Sequence, residues 1–242
     1  MASTRFLRTE ALVGPEGLAR LQNAHVTVVG VGGVGGAALE GLVRAGIGSI
    51  TAIDGDVISE TNCNRQLLAL SSTVGKGKVT VAEERMTEID PQLCFTARQA
   101  WINEETVETL ISKDTAFVAD CIDDAAAKLV LAEYCRKNNI PMIMCMGTGN
   151  RLTSAGLQMA NFDKTAGCPL AKKMRLALKN ARFRKMRCLY STDTVVPAFP
   201  IEDGGKRTVG SISFVPTIAG MKLAEHIINR LLKDETALDV PK

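Results

Sequence analysis

Gly30, Gly32 and Gly35 stand at G-x-G-x-x-G spacing within "HVTVVGVGGVGGAALEGLVRAG", after a β-branched apolar run and at the mouth of a segment with helical periodicity. Glycines in that setting let the backbone approach a phosphate with no Cβ in the way, and free N–H groups at the helix start attract negative charge. Asp54 closes the next apolar run, near the ~20-residue offset at which a carboxylate accepts hydrogen bonds from ribose hydroxyls. A ribonucleotide follows from these residues. The turn alone does not separate NAD from ATP.

The segment after Asp54, "GDVISETNCNRQLLALSSTVGKGKVTVAEER", bears on that choice. A dinucleotide needs little cationic help beyond a helix terminus, whereas a triphosphate carries about four negative charges whose transfer chemistry draws on Arg, Lys and a divalent metal. Arg65 and Lys78 supply two cations, and Asp123 in "DCIDDA" is expected to end a strand where a carboxylate could hold the metal. Asp123 or Asp124 could equally cap the helix that begins near 125.

To position these groups the chain needs strands that deliver them to one edge. Short apolar runs alternate with amphipathic segments, which predicts an α/β, Rossmann-like nucleotide-binding fold with a mostly parallel sheet and a less regular C-terminal portion. Strands are expected near 25–30, 50–54, 93–98, 115–120 and 141–145, and helices over 34–45, 76–89 and 124–138. A short helix over 15–23, with Pro15 in its first turn, leads in. Beyond residue 150 the expectations are strands over 156–161 and 186–191, a basic helix over 166–180, a Pro/Gly-containing loop over 197–210 and a closing helix in "SFVPTIAGMKLAEHIINRLLK". The economical division is one domain, 1–242, with a nucleotide-binding half over about 25–145 and substrate-side and closing elements over about 146–242.

Composition narrows the class. With 242 residues, 46% of them hydrophobic, the chain can fill a real core. Its net charge of +3 is too balanced to imply a nucleic-acid protein without local clustering. Seven cysteines behind the polar start "MASTRFLRTE" argue against a secreted disulfide framework and for a reducing cytoplasm. No pair forms C-x-x-C, so a thiolate zinc site has no evident ligand set, and no apolar run reaches the ~20 residues of a membrane span.

"VVGVGGVGG", "IDGDVISETNCNRQ", "VGKGKV" and "DCIDDAAAK", taken in that order, resemble the ubiquitin-activating-enzyme-like adenylyltransferases, the ThiF, MoeB and HesA superfamily. The likeness runs from "RFLRTEALVGPEGLARL" to "GSISFVPTIAGMKLAEHII". It implies ATP-dependent adenylation of a carboxylate with release of pyrophosphate. On that resemblance Gly32 and Gly35 belong to the phosphate turn, Asp54 to the ribose, Asn62 and Arg65 to the phosphates, Lys78 to the α-phosphate region and Asp123 to Mg2+, with Arg65, Lys78 and Asp123 as the catalytic set. Gly30, Gly33, Asp56 and Gln66 complete the implied nucleotide contacts. Arg5 or Arg8 matches an arginine that family homodimers lend across their interface.

Within the superfamily, "RFLRTEALVG", "TNCNRQLLAL", "YCRKNNIP" and the missing C-x-x-C pairs are similar to the tRNA threonylcarbamoyladenosine dehydratase group. That implies a tRNA carrying threonylcarbamoyladenosine as substrate, its threonyl carboxylate activated and cyclised with loss of water. The alternative is an adenylyltransferase acting on the C-terminus of a ubiquitin-like sulfur carrier, and a cysteine desulfurase or sulfur-acceptor protein is a further partner to be considered.

A tRNA needs a basic surface, and "KKMRLALKNARFRKMR" offers one, with Lys172, Lys173, Arg175, Lys179 and Arg182 as candidate phosphate contacts. Its alternative is a solvated helix face. Cys188, in "MRCLYSTD", lies where protein-modifying relatives carry an acceptor thiol. Cys121, Cys145, His25, His226 and Trp101, the only tryptophan, are assigned to packing.

Overall fold

The computed structural model describes residues 4–177, 185–196, 199, 202–203, 206–207 and 209–233. Apolar runs with no polar alternation, such as "VTVV" and "FVA", are buried on both faces and form parallel strands. The parallel strands are β1 (His25–Val29), β2 (Ser49–Ile53), β4 (Phe117–Asp120), β5 (Met142–Cys145) and β7 (Arg187–Ser191), together with the more exposed edge strand β3 (Cys94–Arg98). With β6 (Leu157–Asn161), antiparallel to β7 at the edge, they make a seven-stranded sheet in the order β3-β2-β1-β4-β5-β7-β6. β1 lies between β2 and β4, so its neighbours' connections leave in opposite directions and open a crevice at the strands' carboxyl ends.

Helices cover both faces. On one side α1 (Leu7–Asn23), α2 (Gly33–Ala45), α3 (Lys78–Ile89) and α7 (Phe214–Leu232) close over a core that includes Leu21, Leu39, Leu42, Met86, Leu223 and Ile227. On the other, α5 (Ala125–Lys137) and α6 (Pro169–Ala177) cover Leu131, Cys135, Met144, Met174 and Cys188, with the single turn α4 (Val107–Leu110) beside them. α2 and α7 meet through small residues: a Cβ at Gly220 would sit 2.2 Å from the Val34 carbonyl oxygen and 2.7 Å from the Ala37 Cβ.

The expected strands and long helices are present, with ends shifted by a few residues. The leading helix starts earlier, at Leu7, but breaks at Gly14 (φ 75°), and Pro15 opens its second segment. α4 was not foreseen, since one turn carries too little periodicity to read. The 197–210 loop contains two short paired strands, β8 (Glu202–Asp203) and β9 (Lys206–Arg207). Asn150, in the left-handed region at φ 56°, holds the base of that excursion: its N–H donates to Gly210 O at 2.7 Å, its Oδ1 accepts from Gly210 N at 2.7 Å, and its carbonyl accepts from Val196 N at 2.8 Å. No helix among the described residues is long and apolar enough to cross a membrane.

Candidate functional site

At the carboxyl ends of β1, β2 and β4 lies a cavity of about 610 Å³, a size suited to a nucleotide. The glycine turn after β1 forms one wall. Gly30 and Gly35 are explained by packing: a Cβ on Gly35 would fall 1.8 Å from Gly30 O, and Gly30, at φ 86°, touches the Cys121 backbone. Gly32 is different. A Cβ there would meet nothing closer than Gln66 Nε2 at 3.7 Å, and with Gly33 it borders the cavity, leaving room for a ligand against the backbone.

Asp54 follows β2 and ties the turn together. Its Oδ2 accepts from Val31 N at 2.6 Å and its Oδ1 from Asp56 N at 2.8 Å. Burial raises its pKa, opposed by the nearby Lys78 and by those two N–H donors. Lys78, buried at the first position of α3, places Nζ 2.6 Å from Asp56 Oδ2 and 3.8 Å from Asp54 Oδ2. Neither α2 nor α3 has an acid in its first turn, so their N-terminal N–H groups keep their partial positive charge, while the charge of Lys78 is offset by Asp56 and Asp54.

The 3₁₀ turn Glu60–Asn62 brings in the remaining polar groups. Asn62 accepts from Ser59 N at 3.2 Å through Oδ1, which leaves its amide nitrogen for a ligand. Arg65 borders the cavity while Nη1 donates to Thr61 O and Asn64 Oδ1, both at 2.9 Å; Asn64 in turn donates to Ser211 O at 3.1 Å. Gln66 is buried and its Oε1 has no hydrogen-bond partner among the described residues, a cost that a donor from a bound molecule would relieve.

Asp124, not Asp123, caps α5, accepting from Ala127 N at 2.8 Å. The expected position of Asp123 is corrected: β4 ends at Asp120, and Asp123 lies in the loop beyond it, exposed and facing the cavity. No group of three His, Cys, Asp or Glu among the described residues would hold a metal ion. One open carboxylate lining a nucleotide-sized cavity fits magnesium that arrives with a nucleotide, since that ion takes most of its ligands from phosphate oxygens and water.

Arg5 donates to Ile89 O and pairs with Asp90 at 3.6 Å, at the edge of a separate cavity of about 680 Å³ between α2 and α3. That larger cavity has none of the glycine turn or its acids. Cys188 is fully buried and burial pushes its thiol up to about 12, against the exposure and lowered pKa that an acceptor thiol needs. Cys145 is core as expected, whereas Cys121 reaches the cavity wall. His25 bonds Thr51 Oγ1 at 2.8 Å, and His226 packs edge-on to Phe117, both structural as expected.

Trp101 packs only in part: it lies against Gly55 and is 62% exposed at the cavity's rim. Of the basic run, Lys172 and Lys173 are exposed on α6, Arg175 is held by Thr165, and Lys179 and Arg182 lie outside the described residues. Thr148, Ser211 and Pro216 also border the cavity, and local sequence gave no sign of them because they return from distant segments.

A family model described as the ThiF family matches residues 6–240. The tRNA threonylcarbamoyladenosine dehydratase of Bacillus subtilis is 35% identical over 245 residues, covering 95% of each chain. That of Escherichia coli is 37% identical over 208 residues, 83% of this chain and 77% of the other. A crystal structure of E. coli tRNA N6-threonylcarbamoyladenosine dehydratase in complex with ATP superposes with a TM-score of 0.88 at 33% identity, covering 96% of this chain and 95% of that one.

Proposed function

The chain belongs to the ThiF family, and we propose that it is an ATP-dependent tRNA threonylcarbamoyladenosine dehydratase. The observation that carries this reading is the convergence of Asp54, Asn62, Arg65, Lys78 and Asp123 on one nucleotide-sized cleft, in a chain alike from end to end to such dehydratases.

In this reading the N–H groups at Gly32 and Gly33 receive the phosphates and Asp54 accepts the ribose hydroxyls. Asn62 and Arg65 hold the outer phosphates, and Lys78 shifts from Asp56 to the α-phosphate, where charge develops. Magnesium, when bound with the nucleotide beside Asp123, supplies neutralisation of phosphate charge. A threonyl carboxylate oxygen of the modified adenosine attacks the α-phosphorus as the bond to pyrophosphate breaks. A nucleophile within the modification then attacks the acyl carbon, the bond to AMP breaks and the ring closes. The net result is loss of one water from the tRNA, with ATP converted to AMP and pyrophosphate. Holding both partners in place makes the closure unimolecular, and no protein thiol is required.

The reading extends to Lys172 and Lys173 on α6 as sequence-independent contacts to tRNA phosphates, to a homodimer, to a cytoplasmic location, and to a nucleotide-binding half over about 25–145 beside a substrate-side part over about 146–242. A desulfurase or sulfur-acceptor partner would be an addition to it. Incubation of modified tRNA with the protein, magnesium and ATP, followed by mass spectrometry, should give pyrophosphate and a tRNA lighter by one water. Unchanged tRNA together with adenylation of a ubiquitin-like carrier protein would replace this reading with the carrier-activating one.

A further inference from the structure

We infer that Trp101 is the surface on which the adenine ring of ATP stacks, an inference that rests on the nucleotide reading above and adds a base-recognition residue to it. Three adjacent strands end at the cavity in a spatial order that matches a nucleotide: the glycine turn after β1, Asp54 after β2, and Trp101 three residues after β3. Phosphates at the first and ribose at the second leave the base over the third.

The indole is seated before any ligand arrives. It lies against Gly55, next to Asp54, so closely that a Cβ there would fall 2.3 Å from Trp101 Cε2 and 2.4 Å from Nε1. The Trp101 carbonyl accepts from Thr106 Oγ1 at 2.6 Å, Asn103 Oδ1 accepts from the N–H groups of Glu105 and Thr106 at 2.9 Å, and Ile102 is buried. A fixed, rotamer-poor aromatic binds with little ordering cost. Yet 62% of Trp101 is exposed, a large apolar surface beside a polar cleft that the packing of the chain does not use. A nucleobase covers such a face well.

Because Trp101 is the sole tryptophan, its emission reports on this contact directly. The full chain is titrated with ATP in the absence of tRNA, with ATP binding followed in parallel by equilibrium dialysis. Emission should change saturably with the Kd that dialysis gives. Trp101→Ala should weaken ATP binding about tenfold, Trp101→Phe should restore most of it, and the affinity for inorganic triphosphate, which has no base, should be the same in all three proteins. ATP bound with unchanged emission, Trp101→Ala binding ATP as well as wild type, equal loss of triphosphate binding, or a response to tRNA alone would each overturn the inference while leaving the ATP reading standing. No ATP binding by the wild-type chain would overturn both.

Discussion

Lys78 and Lys128 are both buried, and each faces an aspartate within ion-pair distance, but they stand in different kinds of place. Lys78 Nζ lies 2.6 Å from Asp56, whose side chain is half exposed at the mouth of the cavity. Lys128, on α5, lies 2.9 Å from Asp120 at the end of β4, and both side chains are wholly sealed from solvent. The pair at the cavity can exchange partners, because water and an anionic ligand reach both groups. The sealed pair cannot, since separating it would strand two charges in a medium that solvates neither. Ion pairing alone therefore does not mark a site; access by a replacement partner does.

The strongest way to sharpen that contrast is to remove one member of the sealed pair. Lys128→Ala should cost about 3–5 kcal/mol of folding stability in a denaturant titration, because Asp120 is left as an unpaired buried charge. A loss below about 1 kcal/mol, the range of an exposed pair, would erase the distinction. Lys78→Ala should do the reverse. Adenylation, read by pyrophosphate exchange, should fall by about a hundredfold or more, equivalent to about 2.7 kcal/mol of barrier, while the denaturation midpoint stays close to wild type.

A smaller effect is expected at the glycine turn. Gly32→Ala should leave the fold intact and raise the KM for ATP about tenfold, since the added methyl group would meet a ligand while making only an ordinary 3.7 Å contact with Gln66 Nε2. The smallest is the pH response of the sealed pair. Burial raises the Asp120 pKa despite the attraction of Lys128 and its hydrogen bonds. As pH climbs out of the ordinary aspartate range the unfolded chain gives up this proton first, so this residue's contribution to stability declines until the folded group has also ionised, and is level above. Asp120→Asn should flatten that stretch of the stability curve, even though the variant is less stable throughout.

How much of this the sequence revealed depended on the distance between partners. The glycine turn, Asp54 and the helix of Lys78 were readable because each rests on spacing within one β–α unit. The Lys128–Asp120 pair went unread although both residues lie in one short stretch: eight positions apart, across a strand and a helix, they match no strand or helix repeat. Trp101 was assigned to packing because tryptophan usually packs, and only the fold shows its loop ending at the rim. The antiparallel edge strand β6 and the cavity contacts of Thr148 and Ser211 depend on how the chain returns to the sheet, which no local pattern encodes. Cys188 matched the acceptor thiol of protein-modifying relatives by position alone, and its burial is set by the sheet around it, which sequence did not show.

The close seating of α7 on α2 bears on how the protein is made. The helix that begins at the glycine turn has its outer face covered by a segment translated much later than itself, residues 214–232. While a ribosome still holds that segment, the small-residue face of α2 is open to water and the turn has no backing. Nascent chains should therefore acquire affinity for nucleotide only after residues 214–232 have left the ribosome, and up to that moment an exposed seam of alanine and glycine is what a chaperone would find.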